Sequence, residues 1–145
     1  MINEMLSFKV KRVKMTMKSI IFFLFFIFGI TNITFAQKLI VESLKNAESD
    51  LSVQTQPRKD LNDKNCALVK VGIGLQGVQF EGNIVGNVVN KTGEYWVYMP
   101  QGSRMLKVKH PNYSPVMVSF PDFGIEKLAE SRTYELQITS TSQQL

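Results

Sequence analysis

Cysteine and histidine are almost absent from this sequence, which holds one residue of each, Cys66 and His110. A zinc site needs three or four ligands, and these two residues cannot supply them. A single cysteine also excludes a disulfide within the chain. Cys66 precedes an apolar segment, which predicts a small buried hydrophobe, with a reactive thiol or an intermolecular disulfide as the alternatives.

Catalytic motifs are lacking as well. His110 alternates with Leu106 and Val108 on the apolar side of a predicted strand, which favours a structural histidine. The sequence contains no nucleophile-elbow motif, and its glycines between positions 72 and 77 are not followed by the Lys-Ser or Lys-Thr of a phosphate loop. We therefore expect no enzyme activity, no catalytic residue, no cofactor and no metal.

The chain has no apolar run long enough for a membrane-spanning helix, which needs about 20 residues. Its most apolar stretch, Ile20 to Ile30, has 11 residues. This stretch follows a basic region and precedes Ala36, a small residue of the kind that signal peptidases select. We interpret residues 1–36 as a signal peptide cleaved between Ala36 and Gln37, with an uncleaved membrane anchor as the alternative. Export to the periplasm or the cell surface is the predicted localisation.

The net positive charge is small outside the predicted signal peptide. The chain has a formal net charge of +5, of which residues 1–36 carry +4 and the rest carries +1. Nucleic-acid binding requires a basic patch on the folded part, so we expect no nucleic-acid partner. Lys107 and Lys109 share one side of a predicted strand and are interpreted as a solvated edge. A membrane contact is expected only through the signal peptide, if it stays uncleaved.

Short apolar and aromatic segments with a period of two dominate residues 65–139. The most regular stretch, Gly93 to Phe120, predicts a β-meander of three strands. Seven or eight short strands separated by turn signals favour an all-β fold, a small antiparallel β-sandwich of about seven strands. The predicted organisation is a signal peptide at 1–36, an N-terminal strand and polar loop at 37–64, the β-sandwich at 65–139 and a polar tail at 140–145.

The period-two alternation also predicts which side chains face the core. These are Val69, Val71, Val78, Phe80, Tyr95, Val97, Leu106, Val108, Val118, Leu136 and Ile138.

Two segments resemble PEGA domains. Residues 77–86, Gly-Val-Gln-Phe-Glu-Gly-Asn-Ile-Val-Gly, resemble the first hairpin of that family, with its apolar strand and glycine-containing turn. Residues 99–102 and 111–115, Met-Pro-Gln-Gly and Pro-Asn-Tyr-Ser-Pro, resemble its second half. Asn112 stands where the family usually has Gly, and Val78 replaces the alanine of the tetrapeptide that names the family. The resemblance covers residues 65–120 and implies a non-catalytic PEGA-like β-sandwich of exported Bacteroidetes proteins, used for binding or as a spacer.

Aromatic residues cluster in the central predicted strand, where Tyr95 and Val97 share one side and Trp96 and Tyr98 share the other. Exposed aromatic rings on a rigid sheet can bind sugars or peptides, because they offer contact area at little entropic cost. Trp96 and Tyr98 are therefore the candidate binding residues. In the alternative, one side of this strand faces the core and the other packs under the N-terminal segment.

The sequence as a whole predicts a non-enzymatic exported module that binds or scaffolds an envelope protein or glycan, whose identity the residues do not specify. The alternative is a regulatory or positioning module for an enzyme that is encoded separately or was lost by truncation.

Overall fold

The computed structural model of the chain describes residues 17–22 and 37–141. Residues 17–22 are helical and exposed. The rest of the predicted signal peptide, including its cleavage site, lies outside the described residues. Within the described ranges, no helix is long and apolar enough to cross a membrane.

Residues 37–141 contain eight strands, one short α-helix and one 3-10 turn among their described positions. The strands are β1 (Lys38–Asn46), β2 (Ala67–Gly72), β3 (Gln79–Glu81), β4 (Val89–Lys91), β5 (Glu94–Met99), β6 (Met105–His110), β7 (Tyr113–Ser119) and β8 (Thr133–Thr141). The α-helix spans Ser52–Thr55 and the 3-10 turn spans Phe120–Phe123. The segment predicted as a polar tail begins inside β8, and its last four residues lie outside the described ranges.

The strands form one curled sheet in the order β3-β6-β7-β1-β8-β2-β5-β4. The all-β prediction is confirmed, but the sheet is mixed rather than purely antiparallel. β1 and β8 pair antiparallel in the middle of the sheet, and each then meets a parallel neighbour, β7 and β2 respectively. The parallel contact between β7 and β1 rests on a single pair, Lys38 with Ser114.

One side of the sheet lines the main core. Nine of the eleven predicted core side chains are buried there, while Val78 and Phe80 are partly buried and pack against it. β6 shows the alternation clearly, since Leu106 and Val108 are fully buried and Lys107 points to the wet side. Outside the strands, Phe120 and Leu128 also contribute buried side chains to this core.

The pairing of strands differs from two sequence predictions. β6 and β7 form the predicted hairpin, but β5 and β6 are not neighbours, so the three-strand meander is wrong. Residues 77–86, which resemble the first hairpin of PEGA domains, do not form a hairpin either, because β3 pairs with β6 and residues 82–88 contain no strand. A period of two determines which side chains share a face, but it does not determine which strand lies alongside.

The β4–β5 hairpin is closed by a two-residue loop, Thr92-Gly93. Gly93 has a φ of 79°, a left-handed conformation that glycine adopts without steric cost. The hairpin places β4 at one end of the sheet, directly beside Trp96 and Tyr95 of β5.

Candidate functional site

Trp96 and Tyr98 lie on the side of β5 that faces away from the main core, yet both are buried. Trp96 is 7% exposed and Tyr98 is 3% exposed. They belong to a second apolar cluster with Leu68, Val53 and Cys66. These exposures do not fit an aromatic platform open to a ligand. They fit the alternative interpretation, in which both sides of β5 are covered.

Two segments cover this second cluster, residues 47–66 and residues 82–88, which we call together the cover. Val53 of the short helix and Cys66 at the end of the first segment are buried in the cluster, and Val85 of the second segment packs against it. The Tyr98 hydroxyl donates a hydrogen bond to the Gln56 carbonyl at 2.7 Å. The Val85 N–H donates to the Tyr98 carbonyl at 2.8 Å. β5 therefore holds both segments of the cover through Tyr98.

Arg58 joins the two segments of the cover above Tyr98. Its guanidinium carbon lies 4.2 Å from the centroid of the Tyr98 ring, and its Nη1 donates to the carbonyls of Val85 at 2.7 Å and Asn87 at 2.9 Å. A Cβ atom at Gly86 would lie 3.0 Å from Nη1, so glycine leaves room for the guanidinium. Burial raises the pKa of the Tyr98 hydroxyl, and the positive charge of Arg58 opposes that shift.

Trp96 is surrounded by charged side chains. Its Nε1–H donates to a carboxylate oxygen of Glu94 at 2.7 Å. The ammonium nitrogens of Lys70 and Lys91 lie 4.8 and 4.7 Å from the ring centroid, within the range of a cation–π interaction. The indole thus has partners for its only polar atom and for its π-system inside the protein.

A half-buried ion pair fixes the first segment of the cover to the sheet. The Lys70 ammonium lies 2.5 Å from a carboxylate oxygen of Asp50 and 2.8 Å from the Ser52 hydroxyl. Burial on its own would raise the pKa of Asp50, but hydrogen bonds from Lys70 and Ser52 outweigh it and hold that pKa below its ordinary value. The side chains of Lys70 and Asp50 are 13% and 20% exposed, which limits screening of the pair by water.

Cys66 and His110 lie in different parts of the fold, Cys66 in the second apolar cluster and His110 at the end of β6. Cys66 is fully buried, and burial raises the pKa of its thiol, which keeps the sulfur protonated. His110 accepts a hydrogen bond at Nδ1 from the Asn112 N–H at 3.1 Å. Its Nε2 therefore carries the proton and donates to the Gln76 carbonyl at 3.0 Å. Both ring nitrogens of His110 are therefore engaged in hydrogen bonds to the backbone of neighbouring loops.

Lys107 and Lys109 form ion pairs with Glu81 of β3 across the β3–β6 pairing. The nitrogen–oxygen distances are 3.3 Å for Lys107 and 2.5 Å for Lys109. Hydrogen bonds from Lys109 and Lys107 lower the pKa of the Glu81 carboxyl. These lysines hold an edge strand in place at the surface of the sheet.

A polar groove of about 430 Å³ lies beside the first segment of the cover. It is lined by Asn46, Ala47, Glu48, Asp50, Gln54, Glu130, Ser131, Arg132 and Thr133. Sequence reasoning missed this groove, because its two walls come from polar stretches about 80 residues apart that carry no shared motif. The described residues contain no group of three or more His, Cys, Asp or Glu placed to hold a metal ion.

The chain matches no protein-family model, no curated protein and no solved structure. The resemblance to PEGA domains therefore stays a prediction based on residues 65–120.

Proposed function

We propose that this protein is a non-enzymatic exported module that binds or scaffolds an envelope protein, and that it does so along the free edge of β4. The observation that supports this proposal is the open end of the sheet. β4 pairs with β5 on one side, and no strand among the described residues pairs with its other side. An unpaired edge presents N–H and C=O groups that can hydrogen-bond to an extended segment of another protein.

The β4 edge is better suited to this role than the β3 edge at the opposite end of the sheet. β5, the strand that pairs with β4, is buried on both sides, so β4 is held against a closely packed strand. The Val85 N–H bond to Tyr98 extends the contact with β5 ahead of β4. Asn90 and Lys91 are exposed, which leaves room for a partner strand. By contrast, the outer strand β3 ends at Glu81, which is engaged by two lysines.

Site-specific photo-cross-linking in the producing cell tests the proposed edge. A cross-linker at Asn90 is expected to give one discrete adduct with an envelope protein. A cross-linker at the exposed Asn112, in the β6–β7 turn, is the matched control and is expected to give no such adduct. In the purified complex, hydrogen exchange of the backbone is expected to slow at residues 88–91 but not at residues 79–81. The same adducts from both positions, or protection confined to another strand, would refute the assignment of this edge.

Export is tested separately by the mass of the protein recovered from the envelope fraction. The proposal expects an N-terminus at Gln37, because the basic and apolar residues before Ala36 have the order of a signal peptide. A membrane-bound product that retains residues 20–30 would support the uncleaved anchor instead.

A further inference from the structure

We propose that the free edge of β4 selects an extended segment that places a carboxylate beside Lys91 and an apolar side chain beside Val89. This inference rests on the proposed function, because it concerns the same edge, and it adds the chemistry of the partner. It depends on three features of β4: the outward backbone groups of Asn90, the ammonium of Lys91 and the half-buried side chain of Val89.

Asn90 is the residue of β4 whose backbone faces away from the sheet. The β4–β5 hairpin has a two-residue loop, so the residues that flank the loop, Lys91 and Glu94, form its closing hydrogen-bonded pair. Along an antiparallel ladder, hydrogen-bonded pairs alternate with pairs that are not hydrogen-bonded. The N–H and C=O of Asn90 therefore point outward. A partner strand that bonds to both groups has its neighbouring residues beside Val89 and Lys91, which fixes the register.

Val89 and Lys91 point to the side of the sheet that the cover closes. Val89 lies directly opposite Trp96 of β5, and side chains of opposite residues share a face. Lys91, two residues further along β4, shares that face. Val89 is half-buried and packs against the second apolar cluster, which leaves part of its side chain for an apolar residue of a partner.

The Lys91 ammonium is held in place without a carboxylate partner. Lys91 is exposed, and its nitrogen lies 4.7 Å from the centroid of the Trp96 ring. Its cross-strand neighbour Glu94 instead accepts the indole N–H at 2.7 Å. Lys91 forms no ion pair with any residue that the structure describes. The other cation beside the ring, Lys70, is already paired with Asp50.

Arg58 adds a second positive charge to this side of the edge. Its Nη1 donates to the carbonyls of Val85 and Asn87, in the segment that leads into β4. Within the described ranges, Arg58 forms no ion pair either. The unpaired cations Arg58 and Lys91 thus stand against one carboxylate, Glu94, a balance of +1. An acidic segment complements this charge, whereas a basic segment would be repelled.

These features together define a pattern for the partner. The residue opposite Lys91 carries a carboxylate, and the residue two positions away, opposite Val89, is apolar. The residue between them points to the other face of the strand, beside the exposed Asn90, and is polar. The order along the partner is acidic, polar, apolar if it runs antiparallel to β4, and the reverse if it runs parallel.

An NMR titration of the isotope-labelled protein, purified as the cell produces it, tests the pattern with the peptide acetyl-Thr-Glu-Thr-Val-Thr-Glu-Thr-amide. The peptide reads the same in both directions, so it fits either orientation. Saturable shifts of the backbone amides are expected at residues 88–91. The same peptide with lysine in place of both glutamates is the matched control, and its affinity is expected to be at least about tenfold weaker, because two charge pairs change sign. No saturable shifts at residues 88–91, or equal affinities for the two peptides, would overturn the proposal.

Variants of Lys91 test whether its charge is responsible. Lys91→Gln is expected to weaken binding of the glutamate peptide about two- to fivefold, the range for loss of one exposed ion pair, whereas Lys91→Arg should retain the affinity. Lys127→Gln is the matched control, because Lys127 is equally exposed but lies in the segment between the 3-10 turn and β8. Equal weakening by Lys91→Gln and Lys127→Gln would show that the peptide senses only the net charge of the protein, and would overturn the proposal.

Cross-linking in the producing cell separates this inference from the proposed function. With the cross-linker at Asn90, Lys91→Glu is expected to remove the adduct, and Lys127→Glu is expected to retain it. An undiminished adduct in Lys91→Glu would overturn the acidic partner and leave β4 as the binding edge. If the cross-linker gives no adduct even when Lys91 is unchanged, the proposed function itself is refuted.

Discussion

Replacement of Trp96 by alanine is the most direct test of whether the outer side of β5 is a binding surface or a second core. The indole is 7% exposed, and it packs with Leu68 in the cluster under the cover. Truncation of a buried Trp or Phe to Ala costs about 3–5 kcal/mol. The variant also loses the interactions of the ring with the ammonium groups of Lys70 and Lys91, which are worth about 0.5–1 kcal/mol each at partly exposed sites.

A loss of this size is a large part of the stability of a small domain, which is about 5–15 kcal/mol. For a domain of about 100 residues, each kcal/mol shifts the melting temperature by about 4–8 °C, so we expect a loss of about 3–5 kcal/mol in Trp96→Ala to lower it by roughly 12–40 °C. Thermal unfolding followed by circular dichroism measures this shift. Leu61→Ala is the control, because Leu61 is fully exposed, and such surface changes stay within about 0.5 kcal/mol. Trp96→Phe, which keeps a ring but loses the N–H bond to Glu94, should fall between the two.

The reasoning would be refuted if Trp96→Ala melted within a few degrees of Leu61→Ala. A retained melting temperature would instead support the exposed platform. The two interpretations of Trp96 therefore differ in one measurement that needs no knowledge of the ligand.

Three further predictions test the core, the cover and the buried thiol. Val108→Asp should unfold the domain by burying an unpaired charge, whereas Lys107→Asp should lower the free energy of unfolding far less. Equal decreases in the free energy of unfolding, measured in urea, would contradict the register of β6. The pKa of Asp50 is lowered in the folded state, so the stability that its ionised form contributes is present at neutral pH. This stability is lost as the pH falls below about 4, where the unfolded chain takes up the proton first. Urea unfolding at a series of pH values should show this loss in acid, and the Asp50→Asn variant should show a weaker dependence of the free energy of unfolding on pH. Cys66, buried and with a raised pKa, should react with a thiol reagent only after unfolding, and rapid labelling of the native protein would show that the cover does not close over it.

The side assignments of the strands could be predicted from the sequence, because burial leaves a direct trace in residue type. Leu106 and Val108 are apolar and buried, whereas the alternate residue Lys107 is charged and engages Glu81 at the surface. The same logic placed Val69 and Val97 in the core. This part of the fold follows from the hydrophobic effect acting on a period of two.

The order of the strands could not be predicted in the same way. Neighbouring strands are joined by backbone N–H and C=O groups, which are identical for every residue except proline, so the sequence carries little record of the partner. The insertion of β1 and β8 into the centre of the sheet is of this kind. Their pairing joins residues nearly a hundred positions apart, as in the pair of Val41 with Ile138.

The polar groove was likewise beyond sequence reasoning. Glu48 and Glu130 stand in stretches that look like ordinary solvated loops, and nothing in their spacing relates them. A groove assembled from distant loops is visible only once the strand order is known.

The burial of Trp96 and Tyr98, in contrast, has a sequence signal in the difference between two strands. β6 alternates apolar and charged residues, as a strand with one wet side does, whereas β5 runs Glu-Tyr-Trp-Val-Tyr-Met and is buried at every position after the first. Continuous apolar runs are typical of strands covered on both sides.

β2 shows the same kind of apolar run with one interruption, Lys70. A lysine inside such a run requires a carboxylate partner if its charge is to be buried, and the partner must come from whatever covers the strand. Asp50 meets that requirement from the first segment of the cover, so the charge pattern of β2 leads from the sheet to the segment that closes over it.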